Sequence, residues 1–338
     1  MRSVADLTTF PALAEDIPAA MRFLISLAGL APSSLNSQPW QFRIKENVIE
    51  VHGDRRYELP RSDANHREFF MSIGCAIENI LIACDYYGLP AHAAYFPEPG
   101  EPFFVARIRV ERVAVQRPSL PADHLALRVA SRHSNRGPYE DRAVPRETID
   151  ELGKLAPPGV RVDFVIDTER RTALAKTVAD ATEAAFRDKG FTNELSQWIK
   201  PSLPSYEDGL PGYNIGIPWP LSFVAPLAIR HGDVAKKQRQ NVEAMLRATP
   251  AFGIVSGAED APQAWVPAGQ TLERIWLTAE ARGLNISVLA AGIEIGEFYK
   301  EIQATLGIHE RPQVFFRIGY GTHVPKPSPR RRVERILE

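Results

Sequence analysis

The chain is short of cysteine, of net charge and of long apolar runs. Cys75 and Cys84 are the only 2 cysteines among 338 residues. Both fall within one predicted helix, where the nine-residue separation puts them ~13 Å apart along the axis. That distance excludes a disulfide between them, and a disulfide-stapled scaffold with it. They are expected to be core thiols of a reducing compartment. Lys and Arg number 40 against 41 Asp and Glu, a net charge of −1, so no overall field steers the chain toward nucleic acid or an anionic membrane. Apolar runs such as residues 80–83 fall far short of the ~18 residues a membrane span needs. Asp6, Glu15 and Asp16 interrupt any apolar signal-peptide core, and a cytoplasmic location is expected. Gly-x-Gly-x-x-Gly, Walker and His-Glu-x-x-His strings are all missing, which argues against a Rossmann dinucleotide site, a phosphate loop and a zinc-protease centre. What remains is a globular composition, 44% hydrophobic and 24% charged, with length enough for two domains.

Periodicity divides the first third into helix, hairpin, helix and two strands. Residues 16–30 carry apolar side chains at helical spacing, and Pro32 ends them. Residues 40–51 alternate on either side of a Lys45-Glu46-Asn47 turn, as a hairpin does. Residues 66–87 form a long apolar helix with Gly88 at its stop position. In 105–113, Ala106, Ile108 and Val110 take one face and Arg107, Arg109 and Glu111 the other, which predicts a half-buried strand. Pro118 and Pro121 mark 116–122 as a linker.

The plan then starts again. Gly74, Glu78, Ile80, Gly88 and Leu89 recur as Gly269, Glu273, Ile275, Gly283 and Leu284, all at one offset of 195 residues. Leu30-Ala31-Pro32 recurs as Leu155-Ala156-Pro157 at an offset of 125, which leaves 70 extra residues in the second copy. Self-similarity over such a period means a duplicated structural unit. The expected units are 1–122 and 123–338, the second with a lid insertion at about 200–227. Prolines at 201, 204, 211, 218, 220 and 226 make that insertion irregular, while Tyr206, Tyr213, Trp219 and Phe223 make it too aromatic for a disordered linker.

Three strings carry candidate chemistry. The first is Ala31-Pro32-Ser33-Ser34-Leu35-Asn36-Ser37-Gln38-Pro39-Trp40. On composition alone it is a helix-capping turn, yet its hydroxyls and amides could also bind a planar polar ligand. The second, Arg132-His133-Ser134-Asn135-Arg136, follows a predicted short helix at 123–130. The third, Arg330-Arg331-Arg332, follows a predicted strand at 313–318 and Gly319-Tyr320-Gly321. Taken singly, basic runs are solvated faces. Taken together, two arginine clusters could converge on one phosphate.

Combined with the duplicated helix, these strings resemble the nitroreductase superfamily of FMN-dependent proteins, and specifically its Acg-like branch, in which two nitroreductase units are fused. The resemblance implies an α+β fold: tandem nitroreductase-like units in an intramolecular pseudo-dimer, with mixed sheets flanked by helices. Helices 66–87 and 264–282 would form the core between units, with Trp265 and Trp276 inside it. FMN would lie at the seam. Arg132 and Ser134 would bind its phosphate and ribityl end, Arg330 and Arg332 would complete the phosphate clamp, and Arg136 would lie near the pyrimidine edge as an electrostatic stabiliser. Pro32, Ser33, Ser34 and Asn36 would reach it from the first unit. Gly292-Ile293-Glu294-Ile295 takes the place of the family's Pro-Ile-Glu-Gly turn, with the glycine moved and the proline absent, and would bring Glu294 and Ile295 to the flavin.

The first unit has the Ser-Ser-x-Asn turn but no Arg-x-Ser-x-Arg ahead of its first helix. The second has Arg-x-Ser-x-Arg, while its turn has become Ala156-Pro157-Pro158-Gly159-Val160. One seam site thus receives both intact halves, and one FMN per chain is expected. The resemblance implies an oxidoreductase, with NAD(P)H as a transient reductant, ping-pong hydride transfer and a nitroaromatic or quinone as acceptor. The alternative it admits is an FMN-sequestering protein whose lid allows little turnover. No metal, nucleic-acid or membrane partner is expected, and the chain would be a monomer or a weak homodimer.

Overall fold

A computed structural model of the protein describes residues 7–11, 16–113, 124–324 and 326–338. The 116–122 linker, and with it the boundary between the expected units, lies outside the described residues. In the first half, α1 (Ile17–Ala28) starts where the Asp16 carboxylate accepts from the Ala19 amide at 2.9 Å, a capping bond that satisfies one orphan donor. The hairpin β1 (Trp40–Lys45) and β2 (Val48–Gly53) follows, then α2 (Arg67–Tyr86), β3 (Ala91–Tyr95) and β4 (Phe104–Val110). The strands form one sheet in the order β1-β2-β4-β3.

The second half repeats this plan. It runs through α3 (Arg146–Gly153) and β5 (Val160–Val165) to an insertion of α4 (Thr168–Arg187), α5 (Lys189–Trp198), β6 (Ile199–Lys200), β7 (Leu210–Pro211), α6 (Ala225–His231) and α7 (Ala235–Arg247). The plan resumes with β8 (Ala251–Gly257), α8 (Pro262–Ala281) and β9 (Asn285–Val288). After α9 (Ala291–Glu294) and α10 (Phe298–Leu306) come β10 (Arg311–Gly319) and α11 (Val333–Ile336). Its sheet has the order β5-β8-β10-β9, the first sheet's order with each strand replaced by its counterpart. The extra residues are therefore mostly helical and extend well beyond 200–227. The predicted helix at 123–130 is a single 3-10 turn, Leu125–Arg128.

Every strand pair within the two sheets is antiparallel. Parallel pairing enters through single bridges at the edges, Phe42 with Leu337 and Ser134 with Ile286. Both bridges bring segments from beyond the sheet onto its edge strand, and the first carries the C-terminus across to the first half. The Glu338 amide donates to the Phe42 carbonyl there at 2.8 Å.

Helices α2 and α8 pack side by side at the centre of one hydrophobic core that draws on both halves. Trp276 and Trp265 are buried in it, as are the free thiols of Cys75 and Cys84 on α2. Among the described residues α2 is also the one helix long and apolar enough to cross a membrane, yet 83% of its apolar window is buried inside the protein. That burial marks a core helix.

Candidate functional site

The turn after α1 holds three of the six non-glycine residues with positive φ among the described residues. Leu35, Asn36 and Gln38 have φ of 48°, 58° and 55°, a region that non-glycine residues enter at a cost. Partners from distant segments hold it there. Asn36 Nδ2 donates to the carbonyls of Gly209 and Pro329, each at 3.0 Å, and its Oδ1 accepts from Arg330 Nη1 at 2.6 Å. Gln38 Nε2 donates to the Glu207 carbonyl at 2.9 Å, while its Oε1 accepts from the Arg331 amide at 2.9 Å. The Ser33 hydroxyl accepts from the Gln38 amide at 2.9 Å, and the Ser34 hydroxyl donates to the Glu68 carboxylate. The C-terminal segment and the insertion thus lock the turn from two sides.

Beside the turn opens a cavity of about 290 Å³. Its lining brings together Pro32, Ser33, Ser34 and Asn36 of the turn with Arg132, Ser134, Arg136 and Arg330. The 132–136 segment is held along the edge of the second sheet by the Ser134 bridge and by the Asn135 amide on the Ile286 carbonyl at 3.1 Å. Met71 of α2, Leu272 and Trp276 of α8, Val288 of β9 and Val314 of β10 supply apolar wall.

Three of the residues expected at the site lie away from the cavity. Arg332 turns outward with 81% of its side chain exposed, 3.5 Å from Glu207. Its neighbour Arg331 is the buried one, stacked 3.8 Å from the Tyr57 ring centroid. Glu294 and Ile295 sit at the end of α9, where the Glu294 carboxylate accepts from Arg67 Nη1 at 2.9 Å. Asn36 lines the cavity, but its amide is spent on Gly209, Pro329 and Arg330. It shapes the site and offers little to a ligand.

The insertion contributes Leu210 to the cavity wall, and none of Tyr206, Tyr213, Trp219 or Phe223 lines it. Trp219 and Phe223 are 60% and 44% exposed and meet edge to face at 5.3 Å. The aromatic side chains that set this insertion apart in the sequence thus stand off the cavity wall. Glu68 was not singled out from the sequence, although it lines the cavity. The signal was present, because Glu68, Met71, Ser72 and Cys75 fall at i, i+3, i+4 and i+7 of one helix and all line it.

The electrostatics of the cavity are uneven. Arg132 is fully buried: its Nη2 donates to the Leu30 carbonyl at 3.0 Å, its Nε lies 3.2 Å from Glu273, and its guanidinium sits 4.7 Å from the Trp276 ring centroid. Burial pushes the Glu273 carboxyl up to about 7, against the pull of Arg132. Arg136 has no such partner among the described residues. Burial, reinforced by repulsion from Arg317, pushes its guanidinium down to about 10. Arg317 gives no relief, since its own Nη2 donates to the Asn135 and Gly137 carbonyls at 2.9 and 2.6 Å. Burial also pushes Glu68 well above the usual carboxylate range, with Glu294 and Asp63 adding repulsion. No cluster of metal-ligating side chains occurs among the described residues.

The duplicated sheet-and-helix plan, with a cavity between the halves, defines a protein built from two copies of one α+β unit. No protein-family model matches the chain. It is similar along nearly its whole length to Mycobacterium tuberculosis Rv3131, named as an NAD(P)H nitroreductase: 26% identity over 330 residues, 94% of this chain and 91% of that protein. The Acg protein of the same organism, also named as an NAD(P)H nitroreductase, is 24% identical over 329 residues, 93% of each. Among solved structures, the FMN- and NADPH-dependent nitroreductase NfnB from sphigopyxis sp. strain HMH aligns with 63% of this chain and 97% of its own at 20% identity. Its TM-score is 0.44, too low a likeness to argue from. Over nearly its whole length the chain is thus similar to proteins named as NAD(P)H nitroreductases, the Acg protein among them.

Proposed function

We propose that the chain is an FMN-dependent oxidoreductase of nitroreductase type, which takes reducing equivalents from NAD(P)H and passes them to a small conjugated acceptor, a nitroaromatic or a quinone. The observation that carries this is Arg136: a cation without a counter-ion on the wall of a cavity that also has an indole and aliphatic side chains. A buried charge is stable only when paired, so the cavity calls for an anionic ligand with an apolar planar part. FMN has both.

Arg136, with Arg132, Arg330 and Ser134, would hold the polar and charged part of FMN, while Trp276, Leu272, Met71 and the Pro32–Ser34 backbone would enclose its ring. FMN bound there supplies hydride acceptance and donation, the chemistry that joins NAD(P)H to the acceptor. Arg136 keeps positive charge at the cavity wall, which favours any ligand that carries or gains negative charge. The strained turn, pinned by Asn36 and Gln38, fixes the hydroxyls of Ser33 and Ser34 before a ligand arrives, so little ordering is left for binding. With one intact turn and one intact arginine segment, one FMN per chain is expected. Two units, 1–122 and 123–338, and a lid at about 200–227 within the second belong to the same proposal, as does a monomer or weak homodimer.

Sequestration of FMN with little turnover is the second reading, and the insertion favours it. Its Glu207 and Gly209 carbonyls accept from Gln38 and Asn36, and Leu210 closes one wall. Anaerobic mixing of FMN-loaded protein with NADH and with NADPH decides between the two. Bleaching of the yellow colour by either supports the oxidoreductase. Bleaching by dithionite alone supports sequestration, and a protein that takes up no FMN overturns both.

A further inference from the structure

Among the described residues that line the cavity, Glu68 is the sole acid. It sits in the first turn of α2 and receives the Ser34 hydroxyl, so its carboxyl group is aimed by the same strained turn that shapes the cavity. The surrounding charges leave it without a cation of its own. Arg67, the next residue back on α2, bridges Asp260 and Glu294 at 3.0 and 2.9 Å. Asp63, on the loop before α2, is engaged by the Glu68 and Phe69 amides at 3.0 and 2.8 Å. Glu294 of α9 adds a third carboxylate to the group, and Arg311 of β10 lies 3.5 Å from Asp260. The other titratable groups lining the cavity are Arg132, Arg136, Arg330, Lys326, His133 and the Cys75 thiol.

We infer that Glu68 is a catalytic residue that delivers the proton accompanying hydride reduction of an oxygen-bearing acceptor in this cavity. The inference rests on the function proposed above. A quinone that receives a hydride equivalent from NAD(P)H gains two electrons and one proton, and one further proton completes the hydroquinone. The Glu68 O–H bond breaks as the acceptor O–H bond forms, NAD(P)⁺ is released, and the Glu68 carboxylate regains a proton from water. Burial, reinforced by carboxylate repulsion from Glu294 and Asp63, pushes the Glu68 carboxyl well above the usual carboxylate range, toward the protonated form that a proton donor needs. An acceptor that takes electrons without protons, such as ferricyanide, has no use for it.

The test compares wild type, Glu68→Gln and Glu68→Asp, all loaded with FMN and supplied with NAD(P)H. The ratio of quinone to ferricyanide turnover is expected to fall by about tenfold or more in Glu68→Gln and to recover in part in Glu68→Asp. The quinone rate of wild type should decline on the alkaline side, and the decline should vanish in Glu68→Gln. Independently of turnover, infrared spectra of the flavin-free protein should show a protonated-carboxyl stretch at neutral pH that Glu68→Gln removes. Should Glu68→Gln not fold, the wild-type profile, the infrared band and Glu68→Asp carry the test. Unchanged ratio and profile, or no such band, overturn the role of Glu68 while leaving the FMN assignment standing. A wild type that takes up no FMN, or reduces neither acceptor, overturns the proposed function and this inference with it.

Discussion

Gly74 of α2 lies so close to Val266 of α8 that a Cβ on it would stand 2.2 Å from the Val266 carbonyl oxygen, and Gly269 of α8 repeats the contact with a Cβ 2.0 Å from the Met71 carbonyl oxygen. Gly74 and Gly269 are 195 residues apart, as are Met71 and Val266. The same contact is therefore made twice, once from each helix, as in an isologous dimer interface. Backbone atoms, which cannot swing aside, fill the space on both sides. Gly74→Ala and Gly269→Ala are each expected to destabilise the protein by about 3 kcal/mol, at the upper end of overpacking penalties. Urea unfolding measures it, with Gly153→Ala, where a Cβ meets nothing, as the control. A pair of variants with wild-type midpoints would mean that the helices do not cross here.

Removing Arg136 should help the empty protein and harm the loaded one. Its guanidinium is buried beside Arg317 with no carboxylate to offset it, so Arg136→Met removes an unpaired charge and leaves apolar bulk. The flavin-free variant is expected to be at least as stable as wild type by thermal melting. FMN affinity, read from quenching of flavin fluorescence, should weaken by roughly 10- to 100-fold, the usual worth of one charge-assisted contact. A variant that loses stability and keeps its affinity would place a structural partner on Arg136.

The repeated plan was legible because duplication prints the same residues twice. Glycine stops, the Glu78 and Glu273 pair and the apolar spacing of α2 and α8 all survive in the sequence, whereas the strand order is set by pairings that no local pattern records. The insertion was harder. Its prolines advertise the irregular stretch, while α4 to α7 carry many charged side chains with only a thin apolar stripe. Three consecutive arginines hold no periodicity to say which turns inward, so Arg331 rather than Arg332 is the buried neighbour of Arg330. The engagement of Asn36 was invisible for another reason. Its partners Gly209 and Pro329 stand 173 and 293 residues away, and only the folded chain brings them near.

Asn36 is expected to matter for shape before it matters for binding. Asn36→Ala removes both donors and one acceptor from a buried position and leaves a non-glycine residue at φ 58°. A loss of about 2–4 kcal/mol follows from the unsatisfied carbonyls and the unfavourable backbone together. Asn36→Asp keeps the acceptor for Arg330 but turns the Gly209 and Pro329 carbonyls against a carboxylate, and should fall between. Urea midpoints rank the three proteins. Limited proteolysis near residue 209 should speed up in both variants, and an unchanged cleavage rate would show that the insertion is held by something else.

Stability should decline as the solution is taken from pH 5 to pH 7. The Glu273 carboxyl, ordinarily 4.5, is held at about 7 by burial, with Arg132 opposing and Glu78 reinforcing the shift, and Glu294 is likewise raised to about 7 by burial. Between the two values the folded state binds more protons than the unfolded one, so the slope of stability against pH is negative. The contribution is complete below about 4.5, is lost as pH rises through about 7, and is flat above it. Each group is worth about 1–3 kcal/mol over that window. His52, whose imidazole burial pushes below its ordinary 6.5, works in the opposite direction, so the comparison must be made against a variant. Glu273→Gln cannot titrate and should show a shallower fall in urea midpoint between pH 5 and pH 7 than wild type. Parallel curves for the two proteins would mean that Glu273 is ionised throughout and that its pairing with Arg132 outweighs burial.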